Sequence, residues 1–469
     1  MERLSTVDVS FLELEDHANR LHLGSIAILE GPAPSTAQMV AHLSKRLKHA
    51  PRCRQRLRAL PMGVSRPIWV DATDFDAANH IRRTALVEPG GMDELEALVG
   101  RLMAEPLDRG RPLWELWIVD GVDDEHWAIV TKVHHAALGA GDLFSALLDA
   151  EPQPDPTRDE PAQWTPRPGP SNLDLVRDSV GDLLDFELPL SLAKAAVRAP
   201  LALFGHALTT ARGLTSLGGI ATPKTASTLA GPLSPHRNYR WFTWSLEEVQ
   251  GAKDALGTTV NDVVLTAIAL GFRDLLIARD VDPSQRRIRA MLPVSLASAR
   301  SALDHDSTPR DDSESISALF AELPVAEADP AAALADVSRQ TSRLASSGQR
   351  VAASTLTQLA GFAPPALLGL GMRAASRVAS MLDEVAIDTV ITNVPGPQES
   401  RWLLGRTLLH VFPYAPLAAP VRISVAVFSY DGELSFGITA DRDAIPDLGD
   451  FTAGIEAGLL ELVHLASEA

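Results

Sequence analysis

The chain has one cysteine, Cys53, in 469 residues, so no disulfide can close within it. A lone thiol fits a reducing compartment, and the cytoplasm is the expected location. The opening MERLSTVDVSFLELEDHANR lacks the charged-then-apolar order of a secretory signal. No stretch reaches the roughly 18 uncharged apolar residues of a membrane-spanning helix. Two segments come nearest, 188–218 and 362–381, broken by Lys194, Arg198 and Arg212 in one and Arg373 and Arg377 in the other. Each is expected to pack as a helix against the core, with docking on lipid as the alternative. Basic charge is short as well, with 42 Lys and Arg against 60 Asp and Glu for a net −18. The acid reads as spread along the chain with no basic block. Such a surface repels phosphate backbones, so nucleic acid is not an expected partner. Contact with a membrane would have to be apolar.

Several chemical signatures are missing too. There is no G-x-S-x-G elbow, and GAGDLF at 139–144 lacks the last glycine of a phosphate-cradling loop. No His, Cys and carboxylate set has zinc-like spacing, so no metal is expected. No tandem repeat of 20–50 residues is visible.

What is present is length and alternation. A single core rarely grows past roughly 250–300 residues, so two domains are expected. In 1–150, strand-like HLGSIAILE (22–30) and HWAIVTKVHH (126–135) alternate with helical spacing at 37–48 and 93–104. Asp142 stands where it would N-cap the apolar run LFSALLDA. Residues 151–170 carry seven prolines and read as a linker, followed by a helical connector over about 172–217. The division is therefore 1–150, a linker and connector over 151–236, and a second domain at 237–469. That second domain opens with the strand YRWFTWSL (239–246) and a helix at 246–256. The strongest helix of the chain follows at 259–279. Residues 289–294 and 421–428 read as buried strands, SYDGELSF (429–436) as a hairpin, and 298–312 as a polar loop. The class is α/β with mixed sheets.

The most informative segment is RPLWELWIVDGVDDEHWAIVTKVHHAALGAGD, residues 111–142. An apolar strand ends in His134 and His135, then small residues leave room for a long substrate. A histidine at a strand end is a plausible general base, with an unperturbed pKa near 6.5, and a buried structural histidine is the competing reading. Adjacent strand residues point to opposite faces, so the two cannot share one metal, and only one faces a cleft.

These residues resemble the bacterial wax ester synthase/acyl-CoA:diacylglycerol acyltransferase family. LSTVDVSFL at 4–12, PLWELWIVDG at 112–121 and HHAALGA at 134–140 match its amino-terminal blocks. GPLSPHR at 231–237, NDVVLTAIALGFRDLL at 261–276 and LPV at 292–294 continue the series. TNVPGP at 392–397 and SYDGELSFGITADRDAIPD at 429–447 complete it in order. The resemblance implies two similar chloramphenicol-acetyltransferase-like domains with mixed sheets flanked by helices, and an active-site channel at their interface. It implies acyl transfer from acyl-CoA to diacylglycerol or a long-chain alcohol, making triacylglycerol or wax ester. Acyl-CoA is then a substrate and no cofactor is implied. Location is cytoplasmic, with peripheral association at the membrane or at lipid droplets left open.

By the same resemblance, His135 is the base and His134 supports it. Asn261 and Asp262 match the paired residues of the strongest helix and are candidate substrate-binding residues, Asn261 as a polar support near the channel, with helix capping the equal alternative. Asn393, in the TNVPGP turn, is a candidate lining residue of the substrate path, while Leu113 and Trp114 are packing residues. The family's HHxxxDG puts aspartate where this chain has Gly139, with Ala140 after it. In related acyltransferases that aspartate fixes the histidine loop by pairing with an arginine. Its absence leaves a second reading, a catalytically impaired homologue that binds acyl-CoA or lipid. Transfer to a polyketide or sugar hydroxyl is a further enzymatic alternative.

Overall fold

A computed structural model describes residues 2–47, 50–60, 66–137, 140–153, 164–171, 174–175, 229–295, 316–346 and 387–469. The segments 188–218 and 362–381, the loop 298–312, Gly139 and nearly all of the connector lie outside the described residues.

The first half starts with helix α1 (Thr6–Leu14), capped by Ser5, whose hydroxyl accepts the Asp8 N–H. Strand β1 (His22–Glu30), helix α2 (Thr36–Arg46) and the hairpin β2 (Gln55–Arg58) and β3 (Ile68–Asp71) follow. Then come β4 (Ile81–Ala85), α3 (Met92–Ala104), β5 (Trp114–Asp120), β6 (His126–His134) and α4 (Ala140–Leu147). The second half holds β7 (Arg237–Ser245), α5 (Leu246–Leu256), α6 (Val260–Ala278), β8 (Ile288–Ser295) and β9 (Ile316–Leu323). Helix α7 (Pro330–Ser346) leads to β10 (Thr389–Pro395), β11 (Trp402–Leu403), β12 (Arg406–Tyr414), β13 (Ile423–Tyr430), β14 (Glu433–Asp441) and α8 (Leu448–Ser467).

Two six-stranded sheets result, both of mixed direction. The first runs β11-β12-β1-β6-β5-β4 and the second β7-β14-β13-β10-β8-β9. The period-two alternation of strands sorts the first sheet's side chains onto two faces. Ala27, Leu29, Trp127 and Ile129 meet α2 and α4 on one side. Ile26, Ile28, Ala128 and Val130 meet Leu95, Val99 and Met103 of α3 on the other. The second sheet buries Val425, Val427, Phe436 and Ile438 beneath α5, α6, α7 and α8. The expected hairpin at 429–436 is present, with Asp431 and Gly432 at φ 46° and 84°, as a two-residue primed turn requires.

The halves are interleaved. Residues 402–414 leave the second half and complete the first sheet as β11 and β12, with Gly24 opposite Tyr414. Beside this crossing, a Cβ on Gly437 would sit 1.8 Å from the Pro413 carbonyl, so only glycine lets β14 pass β12. Tyr239 OH donates to that same carbonyl at 2.7 Å.

Three expectations change in detail. Asp142 lies inside the first turn of α4, because that helix starts at Ala140, so it is not the N-cap. Asn393 sits within β10 opposite Val427 rather than in a turn, because the strand continues to Pro395. The acid is not evenly spread: residues 31–70 hold eight Lys and Arg and no Asp or Glu. Part of that charge is spent on packing. Arg52 stacks on Trp69 at 4.7 Å and pairs with Glu2, while Arg54 stacks on Trp164 at 4.8 Å. The described part of the proline-rich stretch is strapped to this hairpin, with Arg58 donating to the Pro170 carbonyl at 2.6 Å.

Candidate active site

Strand β6 is apolar on its α3-facing side through Val130, then turns polar at Lys132 and His134. Lys132 is buried, and its Nζ donates to the carbonyls of Leu102 and Glu105 at 2.7 and 2.6 Å. These lie at the C-terminal end of α3, where unpaired carbonyls and the helix dipole favour a cation. Burial still pulls the ammonium down to about 8.

His134 is the last residue of β6 and lies opposite His22 of β1. Its backbone N–H donates to the Leu113 carbonyl at 3.0 Å, so the PLW block packs directly behind the histidine pair. Trp114, 1% exposed, donates its indole N–H to the Cys53 carbonyl at 2.8 Å and stacks on His80. The ring of His134 is oriented from both ends. Its Nδ1 accepts the Ala136 N–H at 3.0 Å, which requires a lone pair there and places the neutral ring's proton on Nε2. That Nε2 lies 3.4 Å from Glu15 Oε2, close to the carboxylate but not aligned as a hydrogen bond.

Glu15 follows α1 as its C-cap, and its N–H donates to the Phe11 carbonyl at 3.2 Å. The side chain is only 6% exposed, and Arg109 donates to Oε2 at 2.7 Å. His22 Nε2 lies 3.1 Å from Oε1, without the alignment of a hydrogen bond. Burial alone would raise this carboxyl's pKa. His134, His22 and Arg109 outweigh it and hold the group well below the usual carboxylate range. His22 is fully buried, and its other nitrogen faces the Met103 carbonyl at 3.4 Å. Burial, aided by Lys132, lowers His22 to about 4 against the pull of Glu15, so the ring is neutral at pH 7.

His135 lies one residue beyond the strand, in a turn closed by the Ala137 N–H donating to the His134 carbonyl at 2.8 Å. Its own N–H donates to the Leu21 carbonyl at 2.9 Å. The ring rests against Phe11 of α1, with centroids 3.8 Å apart and a 36° tilt. Nδ1 is buried without a hydrogen-bond partner of good geometry, and its backbone carbonyl draws weakly on it. Burial first, and then the His134 ring, lower the pKa to about 4. At neutral pH His135 is therefore an uncharged imidazole, the protonation state a general base requires. Among the described residues, no group of His, Cys, Asp and Glu has the geometry to hold a metal ion.

The other candidates go elsewhere. Asp262 forms a capping box with Thr259, in which each backbone N–H donates to the other's side chain at 3.1 Å. Its second oxygen accepts from Thr341 of α7 at 2.7 Å, so its bonds tie helices together and none reaches the histidines. Asn261 is half-buried at the second position of α6, and Asn393 is exposed on β10. Glu15, His22, Arg109 and Phe11 were not singled out from the sequence. The available signals were that Phe11 lies in the LSTVDVSFL block and that His22 opens the strand-like run at 22–30. The cross-strand register that brings His22 onto His134 is a tertiary fact.

Comparison with known proteins decides the family. Residues 4–264 match the wax ester synthase/diacylglycerol acyltransferase catalytic domain, and residues 314–463 match the WS/DGAT C-terminal domain. The chain belongs to the wax ester synthase/diacylglycerol acyltransferase family. It is thus an acyltransferase. A Mycobacterium bovis protein named as a diacylglycerol O-acyltransferase is 35% identical, over 99% of this chain and 96% of that one. A Mycobacterium tuberculosis protein bearing the same activity in its name matches equally, at 35%. Among solved structures, the wax ester synthase/diacylglycerol acyltransferase of Marinobacter aquaeolei is similar in fold. Its TM-score is 0.68 at 23% identity, covering 99% of this chain and all of that one. The first condensation domain of the calcium-dependent antibiotic synthetase shares the fold at a TM-score of 0.56 and 16% identity, covering 99% and 96% of the two chains.

Proposed function

We propose that this WS/DGAT protein transfers a long-chain fatty acyl group from acyl-CoA to the hydroxyl of diacylglycerol or of a long-chain alcohol, with His135 as general base. The observation that carries this reading is the His135 imidazole, half-buried, neutral and set just past a strand end before small residues. In this scheme the proton of the neutral ring sits on Nδ1 and Nε2 is the basic atom. Nε2 takes the proton from the acceptor hydroxyl as that oxygen bonds to the thioester carbonyl carbon. When the tetrahedral adduct collapses, the C–S bond breaks and the thiolate takes the proton back from Nε2. The products are an ester and free CoA, and the histidine ends as it began. The scheme needs acyl-CoA as substrate, no covalent enzyme intermediate and no cofactor. The relatives' names point to diacylglycerol as an acceptor. Among the described residues no helix is long and apolar enough to cross a membrane; peripheral contact with such an acceptor from the cytoplasm is part of the proposal.

The test is CoA release from a long-chain acyl-CoA, with diacylglycerol and with a long-chain alcohol, for wild type and His135→Ala. Wild-type turnover that the variant loses supports the reading. Equal rates in the two would turn the protein into a binding homologue.

A further inference from the structure

Two buried imidazoles and an exposed arginine from distant parts of the chain converge on one buried carboxylate, and the general-base scheme uses none of these contacts. Glu15 receives Arg109 at 2.7 Å, His22 at 3.1 Å and His134 at 3.4 Å. Arg109 also donates to the Leu12 carbonyl at 2.8 Å, so it holds the end of α1 and the Glu15 carboxylate together. Burying a carboxylate with an aqueous edge nearby is costly unless charge and hydrogen bonds compensate it. Three partners on a single side chain compensate well beyond what holding a helix end requires.

The connections run toward His135 by two routes. The first passes through His134. A carboxylate before Nε2 holds the proton there, and this leaves Nδ1 free to accept the Ala136 N–H at 3.0 Å. That bond shapes the turn in which His135 sits. Were the proton on Nδ1, the ring would present a donor to the Ala136 donor, and the turn would have to open. The second route passes through β1. His22 contacts Glu15, and the preceding Leu21 carbonyl accepts the His135 N–H at 2.9 Å. Glu15 also ends the helix whose Phe11 ring lies on the His135 ring.

We propose that Glu15, clamped by Arg109, is the positioning residue of this site: it sets the His134 tautomer and through it the orientation of His135. The inference rests on His135 as the base. It gives the histidine loop an anchor on its strand side, independent of position 139, where the family's aspartate is replaced by Gly139. The second half of the chain grips the turn that follows Glu15, since Arg237 donates to the Ala18 carbonyl and the Ala419 N–H donates to Asn19 Oδ1 at 2.9 Å. The anchor is therefore held from both halves.

The experiment compares wild type, Glu15→Gln and Glu15→Ala by kinetics and by ring-nitrogen NMR of His134, assigned with a His134→Gln control. Glutamine keeps the shape and one acceptor oxygen for His134 but drops the charge. The expectation for alanine is a fall in kcat of about 100-fold with KM within about threefold, since a misplaced catalytic group costs on that order. Glutamine should recover part of the loss. The His134 spectrum should show an Nε2–H ring in wild type and glutamine, and a mixture of tautomers in alanine. An unchanged His134 signature in Glu15→Ala, or a kcat within threefold of wild type, overturns the proposal. The spectrum judges Glu15 even if wild type releases no CoA, an outcome that would sink the acyl-transfer reading instead.

Discussion

His134–His135 and Asn261–Asp262 look alike in the sequence, each a polar doublet at one end of an apolar element. The structure treats them differently. Asp262 bonds three residues back to Thr259 and once to α7, a local arrangement that starts a helix and ties it down. His134 meets Leu113, His22 and Glu15 from outside its own segment, besides the Ala136 N–H of its own turn. A polar group satisfied by its own turn marks architecture. One that packs against a buried carboxylate and a second imidazole far away in sequence marks a candidate site.

Several measurements break or sharpen that contrast. Replacing His135 with Ala should cost about 1,000-fold or more in kcat/KM, the upper part of the range for a lost general base. Asp262→Ala should do the opposite. It should lower stability by about 1–2 kcal/mol in denaturant unfolding, as a lost cap does, and leave kcat within about threefold. A large kcat loss in Asp262→Ala at unchanged stability would erase the distinction.

The pH profile comes next. His135 is lowered to about 4, and a base works only when unprotonated, so the acid limb of kcat/KM should lie below pH 5. A limb centred near 6.5 would mean that the ring is exposed in the working enzyme.

Glu96 offers a second titration, at the seam between the halves. It accepts the Trp241 N–H at 3.0 Å and pairs with Arg240, but burial prevails and raises its pKa to about 7. The folded state then binds this proton more tightly than the unfolded chain does. Stability should fall as pH rises between about 5 and 7, by at most about 3 kcal/mol. Glu96→Gln should flatten that part of the pH dependence of the melting temperature. A wild-type curve no steeper than the variant's would refute it. The smallest effect is expected from Gly139→Asp, within about threefold in kcat, because Glu15 already anchors the pair. A tenfold rise would show that the loop, rather than the strand side, limits the rate.

Much of the fold was legible in the sequence. Strong periodicity placed β1, β6, β7, α5 and α6 to within a residue or two, because each buries a continuous apolar face. The Asp-Gly turn placed the β13–β14 hairpin through its demand for positive φ. Helix α1 and strands β11 and β12 were not legible. Their short runs make sense only against the first sheet, which β12 reaches from the far end of the chain. At the site, the sequence pointed to His134 and His135 but not to Glu15, His22 or Arg109.

That division has a physical cause. The sequence by itself determined which segments alternate, where the turns fall and which family the motifs resemble, since these depend on neighbours a few residues apart. Only the tertiary structure decided which histidine is tied down and by what. Whether a carboxylate stays charged, and which ring nitrogen carries a proton, depends on burial and on partners that chain folding brings from 94 and 119 residues away.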